Sequence, residues 1–485
     1  MRDDQPSYQV NLDVEMGRDP HSRDESSSVA DTIFRIAICG DFTGRSGAAG
    51  LSSGAPAAWR VDRDEFDDVL ASISPSLCIV LGSGMVVDVQ IRDLDDFHPD
   101  QLFDRVAQFA RLRELRTRLA DPSSFRRAAA ELSAPPKAPA GPMTRPTGSL
   151  LDTIIGEEAP VPHGSPARDD LYAFIQRAME PHLVANADPR QAELVAQVDE
   201  SIATLMRALL HHPAFQALES LWRGVFRLVR MVETDERLQI HLIDVTPEAL
   251  QADLLGAETA WETGLYKRLA ERARPEHGGW GVLVANQSFG GEAGDIATLE
   301  RLADVGVALD APWLAEAHPG LALGSTASEP ALASWRRLRS SPAGRYLGLA
   351  IPRLLLRVPY GSADAIERFS FEELENVDAH TSYLWGNPAL FCAALLGQGF
   401  TERGKGLAVG VSSEIGGLPL HMVRSDGEST AKPCAEVLMG ESDAIGLLDA
   451  GFIPMLSNPD QDVVRVPRVQ SIAEPAARLA GRMAG

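Results

Sequence analysis

The sequence predicts an α/β (α+β) fold in which two domains with mixed sheets flanked by helices are joined by a proline-rich tether. Apolar runs such as IFRIAICGDF at 33–42 and GVLVAN at 281–286 predict buried strands. Between such runs, segments such as ATLERLADVGVAL at 297–309 predict helices. Strands that alternate with helices indicate an α/β domain with a mixed sheet.

Length and charge limit the classes of protein that this chain can be. With 485 residues, 45% of them hydrophobic, it can bury substantial cores. Its 68 acidic and 45 basic residues give a formal net charge of -23, which repels phosphate backbones and argues against nucleic-acid binding. A neutral or basic partner is favoured.

The spacing of the cysteines and the lack of long apolar runs indicate the cellular compartment of the protein. Cys39, Cys78, Cys392 and Cys434 lie far apart, which suggests neither a zinc site nor a disulfide framework. The first residues lack the basic flank and apolar run of a signal peptide, and nowhere do 18 uncharged apolar residues follow one another. We expect a soluble cytoplasmic protein that does not insert into a membrane.

The first domain is predicted at residues 1–132. Further strands at 78–82 and 85–91 and a helix at 99–119 complete a small α/β unit after the strand at 33–42. A lone strand that needs a partner is predicted before a polar segment at 15–31, from the alternating residues Val10, Leu12 and Val14.

A linker is predicted at 133–168, before a second domain at 169–485. The stretch SAPPKAPAGPMTRPTG at 133–148 holds five prolines, which prevents a helix or a central strand. A short amphipathic helix follows at 149–158. Its apolar side consists of Leu150, Leu151, Ile154 and Ile155.

The stretch HHPAFQALESLWRGVFRLV at 211–229 predicts a helix with a wide apolar face that starts near Pro213. Trp222 is most simply a core residue. Glu219 lies four residues before Arg223, which is the favourable orientation for an ion pair.

Two stretches of the first domain contain residue types that occur in phosphate or metal sites. GDFTGRSG at 40–47 follows a strand but has no Walker lysine, so a strand-ending turn is favoured over a phosphate site. DLDDFHP at 93–99 clusters three carboxylates with His98, but its spacing matches no metal motif. A helix start at Asp95 or Asp96, before Pro99, is favoured.

No set of catalytic residues is recognisable. His211 and His212 are adjacent, so on a helix they point about 100° apart and cannot act together as in HExxH. No GxSxG elbow and no combination of nucleophile, base and orienting residue is present. The sequence predicts a protein that is not an enzyme and has no cofactor or metal site.

The stretch at 211–229 closely resembles the signature of the large subunit of the type VI secretion contractile sheath, called TssC or VipB. The signature residues are Phe215, Leu218, Glu219, Trp222, Arg223 and Gly224. Further matches in the same order include HGGWGVLVANQSF at 277–289, RYLGLAIPRLLLRVPYG at 345–361 and YLWGNPA at 383–389. The first domain resembles the small sheath subunit, TssB or VipA, through YQVNLDV, IFRIAICGDFTGR and DLDDFHPDQLFDRV.

This resemblance implies a structural protomer of a helical sheath that surrounds an inner tube of an Hcp-like protein on a baseplate and contracts to propel it. The implied partners are sheath subunits, the inner tube, the baseplate and a AAA+ unfoldase that recycles contracted sheaths. Val10, Leu12 and Val14 would lie in a strand exchanged between protomers. The unfoldase would grasp the helix with Leu150, Leu151, Ile154 and Ile155, or that helix docks on its own chain.

Two departures from the family leave alternatives open. The chain ends soon after GFIPMLSNPDQD at 451–462, whereas large sheath subunits continue through a further region, which puts contact with the inner tube in question. The segment at 401–417 has Lys405, Gly406 and Leu407 where the family commonly has a tryptophan. The alternatives are a sheath-related adaptor or cap that does not polymerise, or a soluble nucleotide-binding enzyme that uses 40–47.

Overall fold

The computed structural model describes residues 33–45, 58–82, 84–121, 123–133, 191–272, 279–322, 324, 328–362, 364–374, 380–404, 413–425 and 428–482. Its strands are β1 Phe34–Gly40, β2 Trp59–Val61, β3 Ser76–Val80, β4 Val86–Gln90, β5 Leu238–Asp244, β6 Val282–Phe289, β7 Trp313–Ala317, β8 Leu347–Ile351, β9 Leu354–Leu355, β10 Trp385–Gly386, β11 Ser413–Ile415, β12 Met422–Ser425, β13 Glu428–Ala431, β14 Phe452–Pro454, β15 Leu456–Ser457 and β16 Val464–Val466. Its α-helices are α1 Phe66–Ile73, α2 Pro99–Arg105, α3 Ala107–Ala120, α4 Phe125–Ser133, α5 Gln191–Leu210, α6 Pro213–Met231, α7 Pro247–Gly256, α8 Gly264–Arg272, α9 Ala293–Leu309, α10 Pro319–Ala322, α11 Glu329–Ser340, α12 Pro388–Arg403 and α13 Glu441–Asp449.

A seven-stranded mixed sheet forms the centre of the fold, with the order β14-β8-β7-β6-β1-β5-β2. Its strands run parallel except β2, which pairs antiparallel with β5 at one edge. All seven residues of β1 are buried, because this strand lies between β5 and β6 with helices over both faces. The predicted α/β class with a mixed sheet is confirmed.

Helices cover the two faces of this sheet. On one face, Ile36, Ile38 and Leu242 belong to a core that includes residues of α5, α6 and α12. On the other face, Ala37, Leu283 and their neighbours pack with α7, α8, α9 and α11. Helix α12 is apolar nearly all round because it contacts both the sheet and α6.

The part of the chain before the predicted linker contributes directly to this sheet. Strands β1 and β2 come from residues before 132, and the strands beside them come from residues after 190. The two segments therefore share one central sheet, although the first also carries the β3–β4 hairpin and α1 to α4. The boundaries at 132 and 168 stay predictions, since 134–190 lie outside the described residues.

Several local predictions can be compared with the structure. The turn after β1 has Gly44 at φ +68°, as the favoured strand-ending turn requires. The helix start in 93–99 is also present, but His98 rather than Asp95 or Asp96 caps α2, with its Nδ1 accepting from the Asp100 N–H. Asp96 instead lies buried in a short 3₁₀ helix, where its carboxylate accepts from the Arg92 N–H.

Two predicted elements lie outside the described residues. They are the strand containing Val10, Leu12 and Val14 and the helix at 149–158 containing Leu150, Leu151, Ile154 and Ile155. Within the described ranges, no helix is both long and apolar enough to cross a membrane.

Candidate functional site

Helix α6, which carries the predicted signature residues, lies where the two segments of the chain meet. Trp222 is fully buried, and its indole N–H donates to the Phe42 carbonyl at 3.2 Å. Phe42 and Phe66 each place a ring edge-on against Trp222. The interpretation of Trp222 as a core residue is therefore confirmed, and the core that it joins includes aromatic residues of the first segment.

The two other large apolar signature residues extend this contact. Phe215 is fully buried and meets Phe97 of the first segment edge-on, with 5.6 Å between ring centroids. Leu218 is also buried in the same core. The apolar face of α6 thus binds the first segment along several helical turns.

Gly224 lies where α6 approaches α12. A β-carbon placed on this glycine would lie 2.5 Å from Cδ1 of Leu390. Because side chains in a packed core cannot approach so closely, the small residue sets the distance between the two helices. Gly224 therefore has a packing role on this helix.

Glu219, the signature carboxylate, is completely buried and bound by two guanidinium groups. Arg223 Nε donates to its Oε1 at 2.7 Å, so the ion pair predicted from the i, i+4 spacing is present. Arg357 Nε also donates to Oε1, at 2.8 Å. The second partner comes from a segment 138 residues away along the chain.

Arg357 joins Glu219 to a second buried carboxylate, that of Glu373. Its Nη1 and Nη2 donate to Glu373 at 2.7 and 3.0 Å in a bidentate pair. Burial would raise the pKa of Glu373, but the charge of Arg357 and the hydrogen bonds to this carboxylate together hold its pKa at about 2. Burial would lower the pKa of Arg357, yet Glu219 and Glu373 raise it well above its usual value. Arg357 and Glu373 are therefore both charged at neutral pH.

Tyr360 contacts three of these charged residues. Its hydroxyl accepts from Arg223 at 3.0 Å, and the Arg357 guanidinium lies 4.1 Å from its ring centroid. The Tyr360 N–H donates to Glu373 at 2.8 Å. Burial raises the pKa of Tyr360 to about 12, so it stays protonated. We call Glu219, Arg223, Arg357, Tyr360 and Glu373 the charge cluster.

The segment that supplies Arg357, Tyr360 and Glu373 also binds the first segment of the chain. The His98 ring lies edge-on to Tyr360, with 4.9 Å between centroids. The carboxylate of Asp100 accepts from the N–H groups of Glu367 and Arg368 at 3.1 Å each. Residues 357–362 and 364–374 thus form a bridge between α6 and the start of α2.

The charge cluster has the chemistry of a structural centre. Its buried charges pair with one another through hydrogen bonds of 2.7 to 3.0 Å. Within the described ranges, no group of three or more His, Cys, Asp or Glu side chains is placed to hold a metal ion. The described cysteines are free thiols, and burial raises the pKa of Cys39 to about 12.

The sequence predicts the roles of Glu219 and Arg223, whereas Arg357, Tyr360 and Glu373 were not predicted. The first pair follows from helical spacing, whereas the others lie in irregular backbone far along the chain. The sequence does contain an indication of the role of Arg357. The predicted strand at 346–352 is followed by this arginine among apolar residues, in LLLRVPY. An arginine between apolar residues commonly needs a buried carboxylate.

Comparison with known proteins identifies the family. Residues 192–473 match the model of the VipB family, described as EvpB/VC_A0108, tail sheath N-terminal domain. The chain belongs to the VipB tail-sheath family. Residues 10–125 match a second model, described as Type VI secretion system, VipA, VC_A0107 or Hcp2. The predicted resemblance of the two segments to the large and small sheath subunits is therefore confirmed.

A curated relative of this VipB-family chain is the type VI secretion system sheath protein TssC1 of Pseudomonas aeruginosa. The two are 30% identical over 319 residues, which cover 61% of this chain. The chain spans 64% of the length of this relative.

Proposed function

We propose that this protein is a structural protomer of a type VI contractile sheath, in which a VipA-type and a VipB-type part are fused in one chain. The observation that carries the proposal is the match of one chain to both families, in the order 10–125 and 192–473. In this role the protein is not an enzyme. It assembles in the cytoplasm with other sheath subunits around an inner tube on a baseplate.

The packing of α6 supports a role as a mechanical unit. A subunit that transmits force during contraction needs its two parts to move together. Here both parts share one sheet, and the Trp222 contact and the hydrogen bonds of Asp100 join the first segment to the second. Separating the two parts would break the β1 pairings and expose this buried surface, so the protomer moves as one body while its neighbours rotate around it.

Assembly would use the strand at 8–14, and recycling would use the helix at 149–158. A strand given to a neighbour adds main-chain hydrogen bonds at a sheet edge and leaves its flanking segment free to act as a hinge. Leu150, Leu151, Ile154 and Ile155 would give an unfoldase an apolar surface to grasp. The inner tube, the baseplate and the unfoldase are the partners that these elements suit.

Negative-stain electron microscopy of the purified chain tests the proposal, alone and with the sheath-like and tube-like products of neighbouring genes. We expect hollow tubes with cogwheel-shaped ends. A variant with Val10→Pro and Leu12→Pro should form folded particles but no tubes, because proline removes the N–H groups that pair the strand.

The matched control is Ser26→Pro with Ser27→Pro, two changes in the polar segment 15–31 that should leave the tubes intact. Particles that stay small in every mixture would overturn the lattice role and favour an adaptor or cap. Tubes of normal length from the Val10→Pro, Leu12→Pro variant would retain the sheath role and rule out the exchanged strand.

A further inference from the structure

A small groove that contains three arginines lies along α6. Arg223, Arg227 and Arg230 line it from neighbouring turns of that helix. Its apolar walls include Phe226, Leu355, Leu356 and Phe391. The volume of the groove is about 170 Å³, below the roughly 300–1,000 Å³ of small-molecule sites, so it suits a single side chain of another protein. We call it the arginine groove.

Arg227 is the least satisfied of the three arginines. One of its Nη atoms donates to the Gly416 carbonyl, whereas its Nε is buried and has no hydrogen-bond partner among the described residues. Burial lowers the pKa of Arg227, and the neighbouring charge of Arg230 lowers it more than Asp462 raises it. The charge of Arg227 is therefore only partly offset, and an added anion would stabilise it.

Arg230 lies at the exposed side of the groove. Its guanidinium is 5.1 Å from the centre of the Phe226 ring, and within the described residues it forms no salt bridge. Arg223, by contrast, is paired with Glu219 in the charge cluster. The arginine groove thus combines an apolar wall with one exposed guanidinium that has no carboxylate partner in the described parts of the chain.

A tryptophan is exposed in a different part of the molecule. Trp261, in the 3₁₀ helix Ala260–Glu262, is 58% exposed, and its ring is held edge-on against Tyr266 at 4.9 Å between centroids. Glu258 and Glu262 flank it and are exposed, and neither forms a salt bridge within the described ranges. An exposed and well-positioned tryptophan is a typical anchor of a protein interface. We call residues 258–262 the tryptophan tip.

The arginine groove and the tryptophan tip lie on opposite sides of the central sheet. The groove is built on α6 and α12, which share a core with Ile36 and Ile38 of β1. Ala260 of the tip belongs to the other core, together with Ala37 of β1. Because successive side chains of a strand point to opposite faces, the sheet separates the two surfaces. One chain therefore cannot join its own tip to its own groove.

We propose that the tryptophan tip of one copy of this chain docks in the arginine groove of a second copy. Trp261 would pack on the apolar wall and on the Arg230 guanidinium, and Glu258 would supply the carboxylate that Arg230 lacks. The attraction is local, since whole chains with a net charge of -23 repel one another. Acidic tip and basic groove are thus complementary in both charge and polarity.

The contact would join copies head to tail. A contact between two different patches repeats from copy to copy and gives an open helical array when it does not close into a ring. The inference therefore rests on the proposed sheath role and deepens it, because it names one contact between neighbouring subunits.

Sedimentation velocity of the full chain over a range of concentrations tests the contact. We expect the wild type to self-associate, and Trp261→Ala should weaken this association at least about tenfold, because an interface anchor is removed. The matched control is Ile445→Ala in α13, since Ile445 is also 58% exposed. This control should associate as the wild type does.

A charge exchange tests the polar part of the contact. Arg230→Glu should also weaken the association at least about tenfold, because the groove would then repel Glu258. Adding Glu258→Arg should restore part of it, since opposite charges face each other again. Arg336→Glu makes the same change in net charge at an exposed arginine and should have little effect.

A mixture of two variants gives a readout that misfolding would not produce. Trp261→Ala keeps an intact groove, and Arg230→Glu keeps an intact tip. An equimolar mixture should therefore form a one-to-one complex about as tightly as wild-type copies associate, although neither variant does so alone.

Three outcomes would overturn the contact: a wild type that stays monomeric at every concentration, a mixture that associates no better than its components, and control variants as weak as Trp261→Ala. Failure of the sheath role is visible separately. Tubes in the microscope with a failed mixture would retain the sheath and exclude this contact, whereas a mixture that associates without tubes would retain the contact and exclude the lattice.

Discussion

At the scale of single residues, the charge cluster is a set of charges that depend on one another. Arg357 is 7% exposed and binds two carboxylates that are themselves almost wholly buried. Removing one member of such a set leaves a charge in a poorly solvated place, which costs more than the ion pair itself contributes. Stability should therefore respond strongly to changes at this position.

We predict that Arg357→Met lowers the free energy of unfolding by about 3–5 kcal/mol, because Glu219 and Glu373 lose their shared partner. Urea denaturation followed by tryptophan fluorescence measures this. The control is Arg336→Met, which breaks an exposed pair with Glu329 and should change stability by less than about 1 kcal/mol. Equal effects of the two substitutions would contradict a coupled buried cluster.

A pH-dependent residue lies at the end of β7. Glu316 is 9% exposed, and burial raises its pKa from 4.5 to about 7, although nearby Arg353 opposes this. A carboxyl group with a raised pKa binds its proton more tightly in the folded state. Its contribution to stability is therefore fully present below about pH 4.5 and decreases as the pH rises to about 7.

We predict that Glu316→Gln removes this decrease in stability with rising pH. Relative to the wild type, the variant should gain up to about 3 kcal/mol of unfolding free energy between pH 4.5 and pH 8. Denaturation curves at pH 5, 6, 7 and 8 give the difference. Glu329→Gln, at an exposed position, should show a flat difference over this range, and a flat difference for Glu316→Gln would mean that Glu316 is ionised throughout.

At the scale of elements, α6 and α12 approach closely because a glycine lies between them. We predict that Gly224→Ala destabilises the protein by about 1–3 kcal/mol, since the new methyl group would overlap Leu390. The helical control is Gly446→Ala in α13, where nothing lies within 4 Å of the added carbon. That change should stabilise the helix by up to about 1 kcal/mol.

Thermal unfolding of both variants checks the helix contact. Combining Gly224→Ala with Leu390→Ala should recover part of the loss, because the shorter side chain makes room for the methyl group, although it also opens a cavity. If Gly224→Ala were as stable as Gly446→Ala, α6 and α12 would be free to separate without cost.

At the scale of the whole molecule, β1 makes the two family segments one folding unit. It lies between β5 and β6, so a chain that starts at residue 191 would expose two unpaired strand edges in the middle of its sheet. We predict that residues 191–485 expressed alone aggregate and that co-expressed residues 1–133 restore solubility. The measurement is co-purification with a tag on the larger fragment.

A protease site placed in the linker provides the control. After cleavage between 134 and 168, the two fragments should elute together in gel filtration, because the β1 pairings and the Trp222 contact persist. Fragments that separate, or a monomeric and soluble 191–485 fragment, would show that the sheet closes without β1.

The sequence by itself determined the class of the fold, the position of α6 and the family. Periodicity places the apolar face of α6, and Glu219 and Arg223 form the pair that their four-residue spacing predicts. Pro213 marks the start of that helix. These features depend on residues close together in the chain, so local rules are sufficient to find them.

Only the tertiary structure decided which distant residues meet. The insertion of β1 between β5 and β6 follows from the pairing of backbone groups more than 190 residues apart, which no local pattern encodes. The same holds for the approach of Arg357 to Glu219 and of Arg272 to Arg35. Such contacts depend on how whole elements pack, because a buried charge must find its partner in three dimensions and not along the chain.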